Sequence, residues 1–199
     1  MAEPPAGDMR LLHTLRVMGF ADAPRLAERL GIAVDEVDEH LLDAHARGWV
    51  SRSGFSGLDG WSITESGKEH AETLVAAELV MVGVRAEVES EYYDRFLPLN
   101  AEVTAACTAW QLTELGIGEP TTLDRIISSL RGPAEALRGL ESRLGALLPR
   151  LTGYHLRFAA ALGRASTDPA WINGIERDSC HRVWFELHED LIATLGLRR

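Results

Sequence analysis

The 199-residue chain contains a single lysine, Lys68, and only two cysteines, Cys107 and Cys180. The cysteines form neither a disulfide framework nor a CxxC zinc-binding pair, which favours a reducing, cytoplasmic location. The first residues, MAEPPAGD, lack a basic segment followed by an apolar run, so they do not resemble a signal peptide. No apolar run approaches the ~20 residues that a membrane-spanning helix needs. These absences argue against a disulfide-rich secreted domain and against a membrane protein.

Motifs of catalysis and cofactor binding are also missing. The sequence has no nucleophile elbow, no phosphate-binding glycine loop, no dinucleotide fingerprint and no HExxH zinc motif. Both cysteines lie at apolar positions of predicted helices, which is typical of buried, unreactive thiols rather than redox sensors. We therefore expect no enzymatic activity, no cofactor and no metal.

The composition is that of a globular protein with an acidic surface. Hydrophobic residues make up 46% of the chain and charged residues 25%, so the chain can bury a core. The formal net charge is -10, and contact with nucleic acid would therefore need a locally basic face. The frequent Ala, Leu, Arg and Gly residues resemble the usage of bacteria with GC-rich genomes.

Residues 21–50 predict two helices joined by a tight turn. Asp22 is placed to cap the first helix, Pro24 suits its first turn, and Gly31 can end it in a left-handed conformation. The second helix should end at Gly48. Its buried side is expected to comprise Val37, Leu41, Leu42 and Ala44 or Ala46. Together these features predict a helix-turn-helix.

A short hairpin is predicted next. Trp49–Ser53 and Trp61–Thr64 form the two strands, and the glycine-rich segment Gly54–Gly60 forms the loop between them. The loop carries Phe55 and Leu58 at its tip. A helix-turn-helix followed by such a hairpin predicts a winged helix, with the hairpin as the wing and the second helix as the recognition helix.

The string WSITESGKE, residues 61–69, ends this hairpin and carries a further signal. Thr64 can cap a new helix, with Gly67 inside its first turn. Here residues 8–75 resemble winged-helix regulators of the MarR and PadR kind, which end their wing with a similar string. The strings YYDRFLPLN, CTAWQ and RDSCHRVWFELHEDLIATLG further along resemble a bacterial family labelled transcriptional regulator. The resemblance implies a DNA-linked regulator.

Helices are predicted throughout the rest of the chain. Apolar residues at helical spacing form two seams, along one long helix over Leu74–Val88 and again over Leu137–Phe158. Pro149 predicts a kink or break within the second seam. A short helix over Leu123–Leu130 is expected to stop at the pair Gly132-Pro133.

These elements predict a mainly α protein with two domains. Residues 1–75 would form the winged helix-turn-helix domain, beginning with a helix over Met9–Met18 that Asp8 caps. Residues 76–199 would form an antiparallel helical domain that serves dimerisation or effector binding. Because the two seams exceed what one short bundle needs, we expect a homodimer, as winged-helix regulators generally form.

The outward face of the predicted recognition helix is acidic. It consists of five carboxylates: Asp35, Glu36, Asp38, Glu39 and Asp43. A DNA reader usually carries Arg, Lys, Asn, Gln or Ser at these positions, because duplex DNA presents about one phosphate charge per 1.7 Å of axis. Residues 1–66 contain six arginines and eleven carboxylates, a net charge of -5. The shape therefore predicts a DNA reader, whereas the charge disfavours one.

Three hypotheses remain open. In the first, the chain regulates transcription by binding DNA through Arg25, Arg29, Arg52 and Lys68, with the acidic helix held away from the groove. In the second, the winged helix is a protein-interaction module whose acidic helix meets a basic partner and whose apolar wing tip inserts into it. In the third, the carboxylates only keep a dimer soluble. DNA-linked regulation leads on family resemblance, and the interaction module is the alternative.

The last predicted helix, about Asp178–Leu195, carries a second candidate site. His181, Phe185 and His188 lie beside its apolar face and, with Trp110, could line an effector pocket. A metal site is disfavoured because the two histidines lie seven residues, or about 10 Å, apart along the helix. The structural alternative is a half-buried helix that packs against the bundle.

Overall fold

The computed structural model describes residues 6–55 and 58–197. Its described residues form a mainly helical protein with one two-stranded antiparallel sheet. The chain divides into two compact units, one comprising residues up to Gly83 and from Ile192 onward, the other Val84–Leu191. The first unit contains α1 (Ala6–Met18), α2 (Ala23–Leu30), α3 (Val34–Ala46), β1 (Val50–Phe55), β2 (Leu58–Ile63) and α4 (Glu65–Val82).

The turn between α2 and α3 has the chemistry that the sequence predicts. The Asp22 carboxylate accepts the Arg25 N–H at 2.9 Å and caps α2, with Pro24 in its first turn. Gly31 ends α2 at φ 69°, and its N–H donates to the Ala27 carbonyl at 2.8 Å. Ile32 then packs back against the core of the unit. The predicted cap at Asp22, the first-turn Pro24 and the left-handed Gly31 are confirmed.

One prediction about α1 and one about α3 are wrong. Asp8 does not cap α1, because the helix already begins at Ala6; Asp8 lies in its first turn, where the Arg47 guanidinium pairs with it at 2.9 Å. Leu42 is not buried either. The inner side of α3 consists of Val37, Leu41 and Ala44, and Leu42 lies outside this stripe with 62% of its surface exposed.

The hairpin is longer in strand and shorter in loop than predicted. The register runs from the pair Val50–Ile63 to the pair Phe55–Leu58, so the predicted loop Gly54–Gly60 is mostly strand. Gly60, within β2, leaves room for the Phe20 ring, which lies where a Cβ at position 60 would be. Residues 56–57 lie outside the described part. An isolated bridge also joins Ala21 to Trp61, with N···O distances of 3.1 and 2.8 Å.

Thr64 joins the hairpin to α4 as predicted. Its hydroxyl donates to the carbonyls of Gly48 and Trp49 and accepts the Gly67 N–H at 3.1 Å. A Cβ at position 67 would overlap the Trp49 carbonyl oxygen, so only glycine fits there. The start of α4 is therefore fixed against the end of the hairpin.

Helix α4 ends earlier than the predicted Leu74–Val88 helix. Gly83 adopts φ 75°, and its N–H donates to the Leu79 carbonyl at 3.0 Å, which stops the helix at Val82. The predicted seam includes Ala77 and Met81 at helical spacing from Leu74, but both are exposed. The observed buried stripe consists of Ala71, Leu74, Val75 and Leu79. The predicted seam therefore does not exist as one helix.

The second unit contains the remaining helices. They are α5 (Arg85–Ser90), a π-helical segment (Glu91–Phe96), α6 (Leu97–Glu114), α7 (Leu123–Leu147), α8 (Tyr154–Ala165), α9 (Ala170–Asn173) and α10 (Cys180–Leu195), whose last residues from Ile192 belong to the first unit. Ser90 and Leu97 have helical dihedrals, so α5, the π segment and α6 form one continuous helical rod.

Helix α7 corrects one prediction about proline and confirms another. The predicted stop at Gly132-Pro133 is wrong, because α7 continues through buried Pro133, and its apolar side, which includes Leu130 and Leu137, offsets the lost hydrogen bond. The break near Pro149 is confirmed, since six residues separate the end of α7 at Leu147 from the start of α8 at Tyr154. Among residues 6–55 and 58–197, no helix is long and apolar enough to span a membrane.

Candidate functional site

Helix α3 presents the five predicted carboxylates to solvent. Each of them is exposed, and none of these side chains has a hydrogen-bond or ion-pair partner within the described part of the chain. Asp35 and Glu36 lie in the first turn, where the helix dipole favours negative charge. Glu39 and Asp43 lie further along, where the dipole does not help them. The predicted acidic face is thus real and uncompensated.

Exposed Leu42 lies within this acidic face. It follows Asp38 by four residues and Glu39 by three, so these side chains are neighbours on the helix surface. Val34, at the start of the same helix, is also exposed, by 40%. We call Leu42 and the five carboxylates the α3 surface. A large apolar side chain surrounded by carboxylates has the arrangement of a small interface, with an apolar centre and a polar rim.

Two of the four candidate DNA-binding cations lie beside carboxylates. The Arg52 guanidinium lies 3.7 Å from the Asp59 carboxylate and over the Trp61 ring, and the Lys68 ammonium lies 3.8 Å from Glu65. Both ion pairs are exposed, so each contributes little energy and can exchange its partner. Their charge is nevertheless locally cancelled.

The other two candidate cations lie on α2. Arg25 is half-buried, and its side chain has no ion-pair partner among the described residues. Arg29 is half-buried on the same helix and already interacts within the protein. Arg47, at the end of α3, is fixed by Asp8 and by the Trp49 ring at 4.9 Å. The first unit therefore offers no dense basic surface among its described residues.

The predicted wing tip lies at the edge of the described chain. Phe55 and Leu58 pair with each other at the end of the hairpin. The side chains of these two residues are not among those that the structure describes, so the insertion of an apolar wing tip into a partner stays a prediction.

The predicted effector residues are only partly brought together. His188 Nε2 lies 3.3 Å from the Tyr92 hydroxyl, and its ring contacts Phe96 at 5.1 Å. His181 is largely exposed, although the burial of part of its side chain lowers its pKa. Phe185 is 44% exposed. These contacts favour the structural alternative, in which the histidines lie at the margin of a packed helix.

Trp110 lies elsewhere, on α6. Its indole N–H is buried without a hydrogen-bond partner among the described residues, as is the Asn173 carbonyl oxygen. The Asn173 amide donates to the Cys107 carbonyl at 2.9 Å. No described contact joins Trp110 to His181 or His188, so an effector pocket formed by these residues stays a prediction.

A buried polar cluster on α10 was not predicted. The carboxylate of Asp190, 3% exposed, accepts the Tyr154 hydroxyl at 2.6 Å and the Arg150 guanidinium at 2.7 Å. Burial and the neighbouring Asp190 carboxylate raise the pKa of Tyr154 well above its usual value. Glu186, 1% exposed, accepts Arg157 at 2.6 Å. The signal in the sequence is two carboxylates four residues apart within an otherwise apolar helix face.

Both cysteines are buried free thiols in this structure. Burial raises the pKa of Cys107 and of Cys180 to about 12, so neither is a thiolate at neutral pH. Within the described residues, no group of three or more His, Cys, Asp or Glu side chains is arranged to hold a metal ion. The described side chains therefore give no starting point for metal or thiol chemistry.

Comparison of the chain with family models, with curated proteins and with solved structures found no match. The chain's own side chains are therefore the basis for assigning a function.

Proposed function

We propose that the chain is a homodimeric regulatory protein whose first unit is a winged helix, and that its α3 surface binds a basic protein partner. The element order of α1–α3, the β1–β2 hairpin and α4 supports the winged helix. The bridge between Ala21 and Trp61 supports it further, because it adds a third extended segment beside the hairpin.

Exposed Leu42 within the acidic face carries the proposal. A DNA reader has no use for five carboxylates, because the phosphates repel them. Leu42, with 62% of its surface exposed, gives this otherwise charged face an apolar contact point. A basic protein surface with an apolar pocket satisfies both features, since interfaces are anchored by apolar side chains and oriented by opposite charges.

The repulsion within the α3 surface is a second support. Asp35 and Glu39 lie four residues apart, and so do Glu39 and Asp43, and such like-charge pairs cost a few tenths of a kcal/mol each. No described cation offsets them. A surface that costs stability without structural compensation is typical of a functional site.

Affinity capture with matched variants tests this proposal. The immobilised 199-residue chain is used to capture proteins from a cell lysate, and each captured protein is then purified and titrated separately. We expect a partner whose binding weakens at least about tenfold with Leu42→Ala and with Glu39→Lys, since anchors and buried charge contacts carry interface energy. Leu156→Ala and Glu119→Lys are the controls, because these residues are exposed in the other unit. Equal binding by all variants would refute the proposal.

DNA binding is the second candidate, favoured by the winged-helix element order and by Arg25, whose charge is unpaired within the described residues. Arg25, Arg29, Arg52 and Lys68 would then contact phosphates. The test is a fluorescence titration of duplex DNA at about 50 mM salt, where phosphate contacts are strongest. We expect no binding by the wild-type chain, and binding there that Arg25→Ala weakens would establish the second candidate instead.

A charge-reversal variant separates these outcomes. Asp35→Lys combined with Glu39→Lys changes the charge of α3 by four units and leaves the buried side of the helix intact. If this variant binds DNA where the wild type does not, the unit has the geometry of a DNA reader and lacks only the charge. Loss of the protein partner in the same variant would support the α3 surface.

A further inference from the structure

Helix α4 carries a second apolar face that nothing in the described chain covers. Val80 is 81% exposed and Met81 75% exposed, and Thr73, Ala76 and Ala77 are exposed on the same side. These positions step by three and four residues, so they form one stripe along the helix. We call these five residues the α4 stripe.

The stripe lies opposite the buried face of α4. Leu74, Val75 and Leu79 are buried, and the stripe points away from them. From Leu74 to Val82 the helix carries one ionisable side chain, Glu78. A helix that is apolar on both faces is normally covered on both faces.

The charge around the stripe limits what can cover it. The stripe has no charged side chain, and the flanking Glu72 is neutralised by Arg16 at 2.8 Å. The chain as a whole carries a net charge of -10, so a second copy would be repelled by most of its surface. A second copy can approach where the surface is uncharged, and the α4 stripe is such a place.

The sizes of the side chains favour an antiparallel pair of helices. One half of the stripe is small, with Ala76 and Ala77, and the other half is large, with Val80 and Met81. A two-fold axis near residues 78 and 79 places Ala77 opposite Val80 and Ala76 opposite Met81. Each large half then packs on a small half, which is the self-complementarity that a two-fold interface requires.

A parallel pair fits less well. It would place the large side chains on each other, and it would bring the two copies of exposed Glu69, one turn before Thr73, together. In the antiparallel pair Glu69 lies beyond the end of the partner's α4, which stops at Val82.

We propose that two copies of this chain associate through their α4 stripes, packed antiparallel about a two-fold axis near residues 78 and 79. This rests on the homodimer in the proposed function and names its surface. The stripe is smaller than the roughly 20 residues per side of a standard interface, so the stripe alone gives a weak, reversible dimer.

Analytical ultracentrifugation of the full chain across about 1–200 μM tests the association, since weak dimers dissociate in this range. We expect a monomer–dimer equilibrium that Met81→Lys and Val80→Lys each shift at least tenfold toward monomer. Leu156→Lys is the matched control, because Leu156 is 72% exposed on another helix. A chain that stays monomeric over the whole range overturns the proposal, as does a dimer that Met81→Lys leaves unchanged.

Disulfide trapping tests the antiparallel register. Ala77→Cys and Val80→Cys chains are oxidised separately and as an equal mixture, and buried Cys107 and Cys180 contribute little background. We expect the mixture to form cross-linked dimer faster than either variant alone, because position 77 of one copy faces position 80 of the other. Faster trapping of either variant with itself contradicts the register.

Salt distinguishes this association from the partner binding of the α3 surface. Two acidic copies meeting through an uncharged stripe should associate more tightly as salt screens their repulsion. A complex of the α3 surface with a basic partner should weaken under the same change. Because salt should change the two associations in opposite directions, failure of the α4 dimer and failure of partner binding by the α3 surface can be told apart.

Discussion

Gly67 shows how one residue joins two elements. Its lack of a side chain lets the start of α4 lie against the Trp49 carbonyl, and Thr64 caps the helix at the same point. The string ITESGKE predicted both the cap and the position of the glycine. The contact with Trp49 was not predictable, because it joins residues that are distant in sequence and depends on how the hairpin packs.

Gly67→Ala should therefore destabilise the first unit by about 3 kcal/mol, because backbone must move to admit the Cβ. Gly163→Ala is the control: Gly163 is exposed within α8, nothing lies within 4 Å of its Cβ position, and alanine should stabilise that helix by up to about 1 kcal/mol. Urea denaturation of both variants measures the difference. A neutral Gly67→Ala would contradict the close contact.

Arg150 and Asp190 form a buried ion pair that the sequence did not reveal. Arg150→Met removes this guanidinium from the buried Asp190 carboxylate, which also accepts the Tyr154 hydroxyl, and should cost about 3 kcal/mol. The exposed pair of Arg138 with Glu135 is the comparison, and Arg138→Met should cost less than about 0.5 kcal/mol. Thermal unfolding of the two variants decides, and similar losses would argue against a buried pair.

At the scale of elements, local signals predicted where chains turn better than where helices stop. Asp22, Gly31 and Thr64 have local chemistry, and the structure confirms their roles. Pro133 and Gly83 show the opposite case. Pro133 predicts the end of a helix, but α7 continues through it because the surrounding apolar residues are buried. Gly83 ends α4 in the middle of an apolar run that predicts a longer helix.

Leu42 is the most informative wrong prediction. Helical spacing placed it with Val37 and Leu41 on the buried side, because an apolar residue beside a core stripe usually extends it. The five carboxylates were predicted to face outward and do so. The sequence therefore predicted the charge of the α3 surface but not its apolar centre. Which apolar residues of α3 face inward depends on how α3 is rotated about its own axis where it packs against α1 and α2.

Removing charge from α3 should separate stability from binding. Glu39→Gln combined with Asp43→Asn relieves like-charge repulsion, so the first unit should become more stable by up to about 0.5 kcal/mol or stay unchanged. Partner binding should weaken in the same variant. Chemical denaturation beside a binding titration measures both quantities. A clear loss of stability would show that these carboxylates support the fold.

At the scale of the whole molecule, the net acidic charge determines what can contact the two exposed apolar features, Leu42 in the α3 surface and the α4 stripe. A net charge of -10 repels a second copy except at uncharged surfaces, and in the proposed function the carboxylates of the α3 surface attract a basic partner. The α4 stripe and the α3 surface both lie in the first unit. Composition predicted the overall charge, but only the fold shows which apolar residues remain exposed within it.

Capture by the wild-type, Leu42→Ala and Leu156→Ala chains tests the central claim most directly. The two leucines are similarly exposed on different helices, at 62% and 72%, so the variants remove the same group from two surfaces. The proposed function predicts a basic partner that the wild type and Leu156→Ala bind equally and that Leu42→Ala binds at least about tenfold more weakly. Equal binding by all three chains, or tight binding of duplex DNA by the wild type at about 50 mM salt, would contradict it.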